Sequence, residues 1–199
     1  MKSNLIKKYL VFILGTYILG WGISICEYAH LGVDPMSVLV LGTYQRINVS
    51  FGTMNFIISL IQLIVAYLCD KKNVTVASIL AMIFTSLGID SFVFLSLGEI
   101  NGIMSYLFFV IGLVIYCFGI AVSELPQCGY TSYDGVIFGI KKYINCEYHK
   151  IRWVIDLSYL IIGFILGGQV GIGTLLILGC AGKLIEIFLE KLRRMTKCH

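Results

Sequence analysis

The chain has 199 residues, of which 58% are hydrophobic and only 13% charged, and its mean hydropathy is +0.91. A soluble domain carries about 25% charged residues, so this balance excludes a soluble enzyme, a nucleic-acid binder and a disordered chain. Fifteen basic against eleven acidic side chains leave a mild net charge of +4, with the basic groups gathered at the ends and in short hinges, the habit of a membrane protein with basic cytoplasmic loops.

In chain order, the apolar runs predict six long helices, at about 8–30, 50–69, 74–96, 102–125, 149–167 and 172–192. Each approaches the ~20 residues that cross a bilayer. Lys2, Lys7 and Lys8 before the first run could mark a signal peptide. No small-residue cleavage site follows, so a retained helix is expected. The glycine-rich stretch Gly167–Gly173 separates the last two helices. Two shorter segments remain, about 35–48 and 132–145. Fourteen residues reach only ~21 Å, short of the ~30 Å hydrocarbon core, so these read as half-helices or a buried short pair. Each follows a breaker loop, Leu31-Gly-Val-Asp-Pro35 and Leu125-Pro-Gln-Cys-Gly129.

A shift of 97 residues lays Gly22, Ile23, Glu27, Gly32 and Gly42 on Gly119, Ile120, Glu124, Gly129 and Gly139, and with one residue of slip Asp90 and Phe92 on Glu186 and Phe188. The sequence therefore predicts an all-α transmembrane bundle with an internal duplication, residues 1–98 and 99–199, each half with three long helices and one short one. If the short helix spans, the halves are parallel; if it dips in and returns, they are inverted. Inversion leaves Arg46 alone outside and the other loop and terminal lysines and arginines inside, which the positive-inside rule favours. Both termini are then cytoplasmic.

The frames Gly32-Val-Asp-Pro35-Met-Ser37, Gly129-Tyr-Thr-Ser-Tyr-Asp134 and Gly171-Ile-Gly-Thr174 resemble those of the YczE/YitT family of small bacterial integral membrane proteins. The resemblance covers about residues 10–190 and departs at Ser132, which stands where the first copy has Pro35. It implies a multi-pass protein of the bacterial cell membrane. The transporter label common in the family, and the pyridoxal-phosphate-type regulators encoded near its members, imply a vitamin-like solute.

Ionisable groups at membrane depth are functional candidates by default. Glu27 and Glu124 end their long helices beside the breaker loops, as a paired carboxylate site or as interfacial groups. Asp34, Ser37 and Ser132 open the short helices, where they suit N-caps. Asp134 lies inside its helix turn, and Gly32 and Gly129 suit a positive φ or close backbone approach. Arg152 and Asp156, four apart, can pair on one helix face. These ten residues form the expected substrate site, with both loops lining it near the midplane and bulk at Gly129 expected to harm binding more than folding. Asp90, without a basic neighbour in sequence, is a further candidate, while Lys183 and Glu186 are expected to pair. The pairs Gly20/Gly22, Gly112/Gly119, Ala77/Ala81 and Gly179/Gly182 are expected at close helix contacts.

The seven cysteines and three histidines make no metal spacing, and no nucleophile–base set, phosphate loop or dinucleotide motif is present. No cofactor, no metal and no enzymatic activity are expected. The favoured function is a transporter for a small cationic or zwitterionic molecule. The alternative is a membrane-embedded substrate-binding or regulatory subunit acting with a partner protein, since so little soluble mass leaves little room for independent gating. Besides the lipid bilayer and the solute, a second copy or another membrane protein is the expected partner.

Overall fold

The computed structural model describes residues 2–95, 100, 102–144 and 146–197. The expected boundary between residues 98 and 99, and Cys198 and His199, lie outside the described residues. Among those described the chain forms only helices and turns, in the order α1 (Lys2–Tyr28), α2 (Pro35–Tyr44), α3 (Phe51–Cys69), α4 (Val76–Val93), α5 (Ile103–Glu124), α6 (Ser132–Lys141), α7 (Tyr148–Ile165) and α8 (Ile172–Lys197), with a single 3-10 turn at Lys71–Asn73. Helix satisfies every backbone group within its own segment, which lipid requires of a spanning element.

Five of these helices are long and apolar enough to cross a membrane: α1, α3, α4, α5 and α8. The sixth expected span, α7, has 18 residues and so reaches about 27 Å. It carries Lys150, Arg152 and Asp156, and this charge keeps it out of the apolar set. The short helices α2 and α6 are ten residues each, four fewer than expected. Polar caps start them: Asp34 accepts the Ser37 N–H before α2, and Thr131 accepts the Asp134 N–H before α6.

Glycine fixes how the long helices meet. A Cβ on Gly15 or Gly22 of α1 would stand 2.4 Å from backbone of Ser123 or Tyr116 on α5. One on Gly112 or Gly119 of α5 would stand 2.9 or 2.5 Å from Cys26 or Leu19. Low numbers on α1 meet high numbers on α5, so the two central helices cross antiparallel, backbone against backbone, with small residues at the seam. The expected packing role of Gly20/Gly22, Gly112/Gly119 and Ala77/Ala81 is therefore present: Gly20 lies on Thr85 and Ile89, and the two alanines pack on Phe12. Gly179 and Gly182 depart from that expectation, because nothing lies within 4 Å of either Cβ position. The reason is that α8 packs on α5 but not along α7.

These contacts also fix direction. Helix α4 runs parallel to α1, Phe12 lying by Ala77 and Tyr28 by Phe92. Helix α3 runs antiparallel to α4, Gly52 lying by Asp90 and Asn55 by Ser86. Since α1 ends where α3 begins, α2 leaves and re-enters at the same end of the molecule. The last turn of α7 packs on α2, Gly163 against Val38 and Leu39. Helix α8 then returns beside α5, with Gly173 on Phe109 and Phe118 on Phe188. Helix α6 lies at the far end, on the last turn of α3, where Gly139 meets Cys69. The basic loop and terminal residues, from Lys7 and Lys8 through Lys71, Lys72, Lys141 and Lys142 to Arg193, gather at that end, here called the basic end. Arg46 stands at the opposite end, its Nε donating to the Leu166 carbonyl at 3.1 Å.

Candidate functional site

The loop between α5 and α6 builds the most chemically structured part of the molecule. Gln127 and Gly129 both take positive φ, 50° and 150°, which turns the chain back sharply after Pro126. Gly129 lies against the start of α4, where a Cβ would stand 2.3 Å from Thr75 Oγ1. Thr75 therefore fills the space a side chain at 129 would need, and the glycine serves folding first, contrary to the expectation that bulk there would spare it. From this turn Thr131 caps α6, and its hydroxyl donates to Asp134 at 2.8 Å. The Tyr148 hydroxyl donates to the other Asp134 oxygen, also at 2.8 Å. Asp134 thus ties α6 to the start of α7.

Three rings stand beside this carboxylate in sequence of contact, Tyr130 on Phe138 at 4.5 Å between centroids and Phe138 on Tyr148 at 5.3 Å. With Glu124, Asp134 and Arg193 they line a cavity of about 570 Å³, within the size range of small-molecule sites. A neighbouring cavity of about 540 Å³, lined by Lys7, Lys8 and Pro126, shares Gln127 and Arg193 with it. Cys128 lines the first cavity, and burial pushes its thiol above the ordinary range although Lys8 draws it down. At the nearby hinge Asp70 is held below the usual carboxylate range, first by the Lys72 N–H and then by Lys142, whose Nζ stands 3.2 Å away.

Deeper along α6 and α7 lies a second polar group. Arg152 Nε faces Asp156 at 3.7 Å, and the guanidinium lies 5.7 Å from the Tyr133 ring. Asp156 also accepts the Tyr133 hydroxyl. Gln62 on α3 donates to the Tyr159 hydroxyl at 3.0 Å and accepts a long bond of 3.5 Å from Ser132, which is buried there. Ser132 is the first residue of α6 and not its cap; Thr131 takes that role.

The remaining expected residues belong to the first breaker loop and the helices on either side of it. Asp34 caps α2, accepting the Ser37 hydroxyl at 2.6 Å, and both residues are buried. Gly32, with φ 110°, lies on Thr174 and Gly171 at the start of α8. Glu27 ends α1 on the same side. Because α1 and α5 are antiparallel, the two breaker loops leave the central helix pair at opposite ends. Glu124, Gly129 and Asp134 come together at the basic end, while Ser132, Arg152 and Asp156 stand deeper, where Asp34 comes within electrostatic reach of Asp156 and Asp34, Arg152 and Asp156 all act on Tyr116 of α5; Glu27 and Gly32 stay apart from both groups. Lys183 and Glu186 form no ion pair among the described residues. Asp90 does find partners: it accepts Ser50 Oγ at 2.7 Å and the Gly52 N–H at 2.8 Å. The tyrosines of the cavity were not legible in the chain, because rings on α6 and α7 suit lipid, interface or cavity equally well.

Comparison with known sequences places the chain among uncharacterised relatives. A family of unknown function, DUF6198, matches residues 6–190. The chain belongs to DUF6198. This DUF6198 protein is 28% identical to the uncharacterised protein YyaS of Bacillus subtilis over 190 residues, 94% of each chain. It is 28% identical to an uncharacterised protein of Haemophilus influenzae, covering 95% of this chain and 86% of the relative. It is also 23% identical to the uncharacterised membrane protein YczE of Bacillus subtilis, covering 96% and 89%. The kinship with YczE read from the loop motifs is therefore present, and the chain is a multi-pass membrane protein of bacterial type. No solved structure matches this member of DUF6198.

Proposed function

We propose that this protein carries a small organic cation or zwitterion across the bacterial membrane, taking it up in the cavity around Asp134 at the basic end. The observation that carries the reading is the cavity itself, where two carboxylates, Glu124 and Asp134, stand with three rings in tilted contact. A cation gains from the faces of such rings as well as from the charge. Arg193 at the rim supplies the positive charge that the carboxylate of a zwitterion would meet. The solute is carried unchanged.

An inverted pair of repeats supports transport over simple binding. Non-glycine residues with positive φ occur at His30 and Gln127, 97 residues apart, as are Gly32 and Gly129. Arg46 reaches the Leu166 carbonyl, while 97 residues along from Arg46 Tyr143 reaches the carbonyl of Cys69. Trp21 stacks edge-on against Phe92 as Phe118 does against Phe188. Repeats related through an antiparallel α1/α5 crossing have their axis in the membrane plane. The basic end is then the cytoplasmic one by the positive-inside rule.

Purified protein should bind radiolabelled primary and quaternary amines, and Asp134→Asn should lose that binding. An organic anion bound more tightly than any amine contradicts the reading. The second reading, a binding or regulatory subunit, is favoured by one observation: the outward faces of α7 and α8, including Trp153, Phe164 and Leu175, are widely exposed.

A further inference from the structure

The two halves differ in one respect that their shared contacts make conspicuous: α3 packs along α4, whereas α7 and α8 stand apart. At the packed pair, Asp90 of α4 holds the start of α3 through Ser50 Oγ and the Gly52 N–H, and Asn55 donates to Ser86 at 3.0 Å one turn further in. The counterparts on α7 stand 97 residues on. Glu147 replaces Ser50, His149 replaces Gly52 and Arg152 replaces Asn55. On α8 the offset is 96, because Phe188 takes the place of Phe92, and the Ala181 carbonyl lies by Cys117 as that of Thr85 lies by Gly20. Glu186 then replaces Asp90, and Gly182 replaces Ser86.

The chemistry of these substitutes is complementary. Glu186 would face His149 and, in the place of Ser50, the like-charged Glu147; Arg152, in the place of Asn55, would lie over Gly182, whose missing side chain leaves room for the guanidinium one helical turn from Glu186 and within its reach. In the described state nothing lies within 4 Å of a Cβ on Gly182, the Glu186 side chain has no hydrogen bond or ion pair among the described residues, and Glu147 makes no side-chain capping bond to α7. Three features unexplained by the packing of this state, Gly182, Glu186 and the uncapped α7 start, are thus accounted for by one movement.

We propose that the protein has a second state in which α8 closes on α7, with Glu186 engaging His149 and Arg152, while the Asp90 latch between α4 and α3 opens. The proposal rests on the transport reading and gives it a gate. The described state is open at the basic end and latched at the other, and exchanging the two arrangements turns the opening over. Glu147, Lys150 and Asp156 of α7 and Lys183 and Glu190 of α8 are the other charges near the seam. The Glu147–Lys150 and Arg152–Asp156 pairs, at 3.4 and 3.7 Å, already offset part of the like-charge cost at Glu186.

Disulfide trapping in a cysteine-depleted background tests it. A bridge needs Cβ atoms about 3.5–4.5 Å apart. The Ser50 hydroxyl stands 2.7 Å from an Asp90 oxygen, so Ser50→Cys with Asp90→Cys bridges in the described state and reports a folded protein. His149→Cys with Glu186→Cys should bridge in membranes roughly tenfold faster than the control Leu157→Cys with Glu186→Cys, whose positions meet in neither state. A 149–186 pair that stays reduced while the 50–90 pair oxidises overturns the proposal. Equal rates for the 149–186 and control pairs also overturn it, since they would mean only that α8 is loose. Glu186→Gln with intact cysteines elsewhere gives a milder readout: it should lower labelling by an impermeant thiol reagent of a cysteine at Asn55, entered from the end bearing Arg46. A selective 149–186 bridge in a protein that moves no solute would leave the two-state fold standing and sink the transport reading alone.

Discussion

Gly129→Ala should unfold the protein more readily, and Thr75→Ala should partly restore it. At φ 150° an L-residue is strained, which costs about 1–2 kcal/mol. The new methyl would also stand 2.3 Å from Thr75 Oγ1 and 3.2 Å from Ala77 Cβ. Overpacking of that kind costs about 1–3 kcal/mol. The expected loss is therefore about 2–5 kcal/mol, or roughly 4–20 °C in melting temperature at this chain length. Thr75→Ala removes the clash with the hydroxyl but leaves the backbone strain, so the pair should show a favourable coupling of about 1–2 kcal/mol. Thermal unfolding in detergent, followed by size exclusion of the soluble fraction, measures all four corners of the cycle. If Gly129→Ala melts with the native protein and loses amine binding instead, the glycine faces the ligand and the structural argument is wrong.

Three further outcomes follow from the same geometry. Asp134→Asn keeps the volume and weakens two charge-assisted bonds to neutral ones, so it should cost only about 1–2 kcal/mol of stability, while amine affinity measured by equilibrium binding falls roughly a hundredfold. Cys128 should alkylate slowly at neutral pH and speed up only above the ordinary thiol range, because burial holds its thiol up; a bound amine should protect it, as mass spectrometry of the alkylated protein would read. The Asp70 carboxyl is lowered in the folded protein by the Lys72 N–H and by Lys142, so its contribution is present above the ordinary carboxylate range and is lost as pH falls through the lowered value. Melting curves across the acid range should therefore flatten for Asp70→Asn.

Much of the architecture was legible because membrane sequences announce length and breaks plainly. The two short helices stood out through Gly32, Pro35, Pro126 and Gly129, and the packing glycines through their recurrence in α1 and α5. Direction was less legible. A few lysines argue sidedness weakly, whereas the antiparallel meeting of Gly15 with Ser123 and Gly112 with Cys26 requires coordinates. The same crossing separates the starts of the two breaker loops, so residues alike in sequence, such as Glu27 and Glu124, end at opposite ends. Asp34 is spent on capping α2, and the hydroxyl–carboxylate pair it makes with Ser37 is remade by Thr131 and Asp134 with the partners exchanged. Gly179 and Gly182 misled because small residues mark close contact only where a neighbouring helix arrives. The tyrosines of the cavity stayed hidden because a ring's direction on α6 or α7 depends on rotation about the helix axis, which periodicity alone left open.

The proposed transport requires that this chain, alone, move a small amine across a bilayer. Counterflow in liposomes carrying only the purified protein tests it most directly. Vesicles preloaded with an unlabelled amine that binds the protein should transiently accumulate the same amine in labelled form from outside, and Asp134→Asn vesicles should stay at the level of empty liposomes. A protein that binds the amine yet gives no counterflow in either orientation contradicts transport and leaves a binding subunit in its place.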